Sequence, residues 1–257
     1  MAFAWKRKTR NLSLAFPLAL VRRRWRFMME NKSRQCLVDT LPSNLHLLVK
    51  EGEECYLSLA SLSQAQNAEI VVDVQKNACF VGAFVDFCDS DVHFKITINL
   101  LSEGASSEWH LASLSSKKES KTYEANINHL ARHTTAVVSS YGIAREESFL
   151  KLSGTSFIQK GSKESNTRQE AKIIVFDPHS DGLASPALQI DENDVSASHA
   201  AVVGRLNEQH LFYLESRGID LLLAKRLIAL GYLKPIERYF DDEKLREKLD
   251  NQIERRF

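Results

Sequence analysis

The sequence predicts a mainly β protein that ends in a helical domain. Short apolar-alternating runs fill Leu57 to Ile190, and the hydrophobic period changes from two to 3.6 at Leu206. Glycine (10) and proline (5) are scarce in 257 residues, fewer than tight hairpins need. The run of strands permits a sandwich, a barrel or a solenoid. Gentle solenoid corners tolerate the scarcity best. No strict internal repeat is visible.

Residues 1–27 carry eight bases and no acid. Asn11–Val21 (NLSLAFPLALV) has the basic-then-apolar order of a signal peptide. It is shorter than the roughly 20 residues of a membrane span. Pro17 interrupts it, and it runs into Arg22-Arg23-Arg24 rather than a small-residue cleavage site. Either it is a basic arm drawn to anionic surfaces, or it is a dispensable extension, since Met28 and Met29 could each start translation. The second reading is preferred.

The clearest strand is Val92–Ile98, where Val92, Phe94, Ile96 and Ile98 share one face and His93, Lys95 and Thr97 the other. Ile70–Val74, Trp109–Leu114, Thr134–Tyr141, Phe149–Ile158 and Lys172–Phe176 read the same way. Gly161–Glu170 (GSKESNTRQE), polar throughout, reads as a loop insertion. Asp177–Gly182 has turn chemistry. A terminal solenoid coil leaves open strand edges, so flanking helices or a partner subunit are expected.

Asn207 is a good N-cap for a helix Glu208–Arg217 that stops at Gly218, with Ile219 covering Leu214. Asp220 caps a second helix ending at Gly231, before Pro235. A third, from near Ile236, places Leu245, Leu249 and Ile253 at four-residue spacing, with Asp242–Arg246 as an exposed ion pair. Three short helices cannot bury so much leucine among themselves. They must pack on the β domain, on a partner, or on both.

Net charge is +1, but outside residues 1–27 there are 26 bases against 33 acids, which disfavours nucleic acid as a partner. Cys36, Cys55, Cys79 and Cys88 form no C-x-x-C pair and suit reduced thiols in the cytoplasm. No phosphate-binding loop, G-x-G-x-x-G, G-x-S-x-G or H-E-x-x-H occurs. His129 and His133 lack the glutamate of a zinc pair and read as loop and strand histidines. Asp191, Glu192 and Asp194 read as a solvated turn.

The segment Pro186–Ile236 is more specific. In order and spacing it carries Asn193-Asp194-Val195, Ser198-His199-Ala200, Leu211-Phe212-Tyr213-Leu214, Ser216-Arg217-Gly218-Ile219 and Ala224…Gly231-Tyr232. Upstream, Asn128-His129…His133-Thr134-Thr135 joins them. The sequence resembles the SufB/SufD family of iron–sulfur cluster assembly scaffolds, nearer SufD, over roughly residues 57–257. The resemblance implies a right-handed parallel β-helix followed by a C-terminal helical domain. The expected division is 1–56 as a basic extension and remnant of an N-terminal region, 57–205 as the β-helix core, and 206–257 as the helical domain.

The resemblance further implies a scaffold rather than an enzyme. It would pair with a SufB-like subunit (or with itself) and dock a SufC-type ABC ATPase through Leu211, Phe212, Tyr213, Arg217, Gly218 and Leu227. ATP would then be bound by that partner. His199 matches the family's functional histidine, with Asp194 as a candidate to orient it. The iron–sulfur cluster would be transient at the subunit interface, with no cofactor held stably by this chain alone, and no membrane or nucleic acid is implied. SufB-type members use a cysteine late in the core; this chain has none after Cys88, and Ala197 stands where many relatives have one. The rivals are a β-solenoid enzyme acting on polysaccharide, which needs a carboxylate cluster and has Asp73, Asp86, Asp89 and Asp91 to draw on, and an inactive truncated remnant.

Overall fold

The computed structural model describes residues 25–28, 32–65 and 67–257. The Asn11–Val21 segment lies outside them. The odd strands are β1 (Trp25–Met28), β3 (Asn44–Val49), β5 (Ala68–Val74), β7 (Val92–Leu100), β9 (Ser120–His129), β11 (Phe149–Ile158) and β13 (Asp181–Ile190). The even strands are β2 (Lys32–Val38), β4 (Glu54–Ser61), β6 (Cys79–Asp86), β8 (Ser106–Ser115), β10 (Thr135–Ala144), β12 (Ser165–Val175) and β14 (Val195–Arg205). The odd strands stack in chain order into one seven-stranded sheet and the even strands into another. The ladders between successive coils are parallel, so the protein is a parallel β-helix and not a hairpin sandwich.

Inward residues stack from coil to coil. Val72, Ile98 and Ile127 form one fully buried column, and Leu57, Gly82, Trp109 and Val138 form another on the opposite sheet. Glycine is required in the second: a Cβ at Gly82 would sit 2.5 Å from the Trp109 ring. A hidden repeat lies in the corners. Gly52, Asn77, Gly104, His133 and Glu164 share a left-handed backbone, at intervals that lengthen from 25 to 31 residues. His133 is therefore a corner residue beside Glu164 (3.1 Å), not half of a helical metal pair.

Two boundaries differ from the sequence reading. Coils begin upstream of Leu57, because β2 and β3 pair in register with β4 and β5. Six of the ten residues of the expected Gly161–Glu170 loop are strand. Ser165, Thr167 and Gln169 point inward and are buried, with Ser165 Oγ bonded to Thr134 and Thr167 Oγ1 and Gln169 Nε2 to Ser156. The turn Asp177–Ser180 forms as expected, with Asp181 and Gly182 opening β13.

Helix α1 (Glu208–Glu215) is capped by the Asn207 side chain, and Gly218 (φ 83°) closes it with Ile219 N–H returning to the Leu214 carbonyl. Helix α2 (Leu221–Leu233) starts at the Asp220 cap and runs through Gly231, which keeps a right-handed backbone. Pro235 instead enters a 3-10 turn (Lys234–Tyr239) near its start, where no N–H is needed. Asp242 caps α3 (Glu243–Arg255) by accepting from Lys244 N–H, while Arg246 donates to the Phe240 carbonyl; the two do not pair.

These helices cover the outer face of the even-strand sheet. Leu233, Ile236, Phe240, Leu245, Leu249 and Ile253 pack on Ala60, Val85, Ala112, Leu114 and Ile143 as a second core. A buried ion network pins the far end. The Arg256 guanidinium, 3% exposed, donates to Ser116 Oγ (2.6 Å), the Phe87 and Cys88 carbonyls and both Glu119 oxygens (2.6 and 2.5 Å). Fully buried Lys121 lies beside it, between Asp86 (3.2 Å) and the Cys88 carbonyl (2.7 Å).

Candidate functional site

His199 occupies the interior-facing row of the last coil. It is register-matched to Gln169, which continues the column Leu57, Gly82, Trp109 and Val138. No further coil follows β14 among the described residues, so the imidazole stands exposed over the open end of the solenoid. Its sheet neighbours facing the opening are Ala197, Ala201 and Val203; across from them stand Ala184, Pro186, Leu188 and Ile190. The edge is apolar and unpaired: Leu183, Ile190, Val202 and Val203 are all exposed.

Beneath this mouth the core turns polar. Ser156, Thr167 and Gln169 are buried and bonded to one another, with Ser156 Oγ 3.0 Å from Thr167 Oγ1 and 2.7 Å from Gln169 Nε2. The column that holds Val72, Ile98 and Ile127 also turns to serine at this coil, at Ser156. Sequence reasoning missed this layer because it lay in the polar run read as a loop. Period-two alternation of Ser165, Thr167 and Gln169 was the signal available.

Asp194 does not orient His199. It sits in the turn before β14, five residues of extended chain away, roughly 16 Å at strand rise. The turn Asp191–Asp194 is tied instead through Glu192, which accepts from Gly161 N–H (2.9 Å). His129 is fully buried, its Nδ1 on Thr134 Oγ1 (2.8 Å), and burial pushes it down to about 4, so it is neutral. Among the described residues no group of three His, Cys, Asp or Glu side chains converges to hold a metal. The mouth has no thiol. Burial pushes the Cys88 thiol up to about 11, and it lies coils away, as does the exposed Cys36. Nor do the four aspartates gather: Asp73 binds His46 and Asn99 on the outer odd-strand face, Asp86 is buried at the end of β6, and Asp89 and Asp91 lie in the corner after it.

The second feature is the face of α1 and α2 turned away from the solenoid. Helix α1 buries none of its residues; Phe212 is 74% and Tyr213 57% exposed. Leu221, Leu222, Leu223 and Leu227 continue the exposed apolar surface along α2, while Leu211 is half-buried. Arg217 lies over the Tyr213 ring at 5.1 Å. Ala224, Ala229 and Lys225, the last bonded to Asp177 (3.1 Å), anchor α2 from behind. Contiguous exposed apolar surface of this kind is unusual on a monomer.

Comparison with known proteins places this geometry. The family profile described as SUF system FeS cluster assembly, SufBD core domain, matches residues 54–232. The iron–sulfur cluster assembly protein SufD of Bacillus subtilis is 29% identical over 168 residues, covering 65% of this chain and 38% of its own. SufB of the same organism is 24% identical over 199 residues, covering 76% of this chain and 42% of its own. A SufBD family protein of Mycobacterium tuberculosis is 26% identical over 162 residues, or 61% of this chain and 19% of its own. The chain thus spans about two fifths of the length of the SufD and SufB relatives.

Proposed function

The chain belongs to the SufB/SufD core family of iron–sulfur cluster assembly proteins, and from that premise we propose that it is a SufD-like scaffold subunit. It pairs with a SufB-like β-helix through the open β13–β14 edge, or with a second copy of itself, and docks a SufC-type ABC ATPase on the α1–α2 surface. The observation that carries this reading is His199, at the family's Ser-His position, standing exposed at an unpaired apolar edge. A partner strand laid there would cover Val202 and Val203 and bring its own residues over the imidazole.

The chemistry follows from what the mouth offers. Neutral imidazole is a borderline ligand suited to iron, and protonated imidazole balances the negative charge of a nascent cluster. The cluster is cargo at the interface. Thiolates come from the SufB-like partner, because no cysteine follows Cys88. ATP is bound by the docked ATPase, which accounts for the absent phosphate loop. No reaction is assigned to this chain itself, and the complex is expected in the cytoplasm. No helix among the described residues is long and apolar enough to cross a membrane.

The test is His199→Ala in cells that depend on this chain. Maturation of a cluster-dependent reporter enzyme should fall while the partners still co-purify. Normal maturation refutes the role given to His199.

A further inference from the structure

Gln169 is the one glutamine or asparagine among the buried residues described, and it lies directly under His199. A buried carboxamide is costly unless its donor and acceptor are both used. Here Nε2 donates to Ser156 Oγ (2.7 Å), and Oε1, which is not a fully enclosed orphan, keeps acceptor capacity for a further donor. The rest of the column is Leu57, Gly82, Trp109 and Val138, so an apolar side chain would suit this row on stability grounds alone. The exception falls at the coil beneath the exposed histidine. Register-matched residues of neighbouring strands stand about 4.8 Å apart on the same side of the sheet, within reach of a glutamine amide. His199 has no hydrogen bond or ion pair of its own among the described residues.

Building on the scaffold reading above, we infer that Gln169 is a positioning residue for His199. Its Oε1 accepts the N–H of one imidazole nitrogen and so leaves the other, as a free lone pair, directed over the mouth. A metal-binding histidine is ordinarily held in this way through its second nitrogen by a carbonyl or carboxylate. Ser156 and Thr167 hold the amide from the other side through Nε2.

The test compares Gln169→Met, His199→Ala and the double variant in the full chain with its partners, reading reporter maturation, partner co-purification and melting temperature. Gln169→Met removes no partner that Ser156 lacks elsewhere, since Thr167 still bonds it. The melting temperature should therefore stay level or rise, while maturation falls about tenfold or more, the usual cost of losing such a supporting contact. The double variant should be no worse than His199→Ala. Normal maturation in His199→Ala overturns the role given to His199 and this inference with it, while loss of partner co-purification from the unmutated chain overturns the scaffold reading. A defective His199→Ala beside a normal Gln169→Met overturns this inference alone. A maturation loss in Gln169→Met that tracks a lower melting temperature, or additive losses in the double variant, makes Gln169 structural and also overturns it.

Discussion

Replacing Arg256 with alanine should undock the helical region from the solenoid. The guanidinium is 3% exposed and Glu119 7%, and their bidentate contact at 2.5–2.6 Å excludes water. Removing one partner of a buried pair costs about 3–5 kcal/mol, because the other charge is left unpaired in the interior. Lys121, 3.8 Å from Glu119, takes up part of that charge, so the lower end applies. About 3 kcal/mol corresponds to a melting temperature lower by roughly 6–12 °C in a domain of this size. Cys88 reports the local event. Its carbonyl accepts from Arg256 and its thiol is fully buried, so a maleimide should label Cys88 in Arg256→Ala but spare it in the wild type, with exposed Cys36 labelling in both. In Arg256→Met with Glu119→Leu, where neither charge remains, most of the stability should return. A variant that melts within about 2 °C of wild type, with Cys88 still protected, refutes the clamp.

Acid should weaken the fold through His129. Burial holds its pKa near 4 against 6.5 in the unfolded chain, so the unfolded state binds the extra proton. Stability should fall as pH drops from 6.5 towards 4, and His129→Asn should flatten that slope in melting curves. Glu237 should act with the opposite sign. Desolvation, and then the nearby Asp250 carboxyl, push it up to about 7, so it loses stability as pH rises. Glu237→Gln should therefore raise the melting temperature at pH 8 and leave it unchanged at pH 4, where both states are protonated. Gly82→Ala drives a methyl into the Trp109 ring and should cost about 1–3 kcal/mol in denaturant unfolding. Phe212→Asp and Tyr213→Asp alter exposed residues, so they should leave melting unchanged and abolish capture of the ATPase in a pull-down.

Period-two patterning located strands wherever one face was apolar and the other polar. Phe149–Ile158 was legible to the residue. It failed in two opposite situations. In Cys79–Asp86 the outer face is itself buried under the C-terminal helical region, the 3-10 turn lying against it, so the run reads as continuously apolar with no alternation. In Ser120–His129 and Ser165–Val175 the inward residues include Lys121, His129, Thr167 and Gln169, whose partners (Cys88 a coil away, Thr134 at the next corner, Ser156 on the facing strand) are not visible in the sequence pattern. The repeat was hidden because successive corners are conserved in backbone angle, not residue type: glycine, asparagine, histidine and glutamate all serve. The caps at Asn207, Asp220 and Gly218 were legible because capping is local. His199 was found through its motif. That it belongs to the core column of an unfinished coil, over a polar floor, needed the register.

The most direct test of the scaffold account is co-expression of the full chain with a SufB-like subunit and a SufC-type ATPase, followed by affinity capture. Deleting residues 206–257 would strip the apolar outer face of the even-strand sheet, so the control is Phe212→Asp, which leaves that face covered. The account predicts a stoichiometric complex of all three proteins, with the ATPase alone lost from Phe212→Asp. A folded, soluble chain that captures neither partner contradicts it.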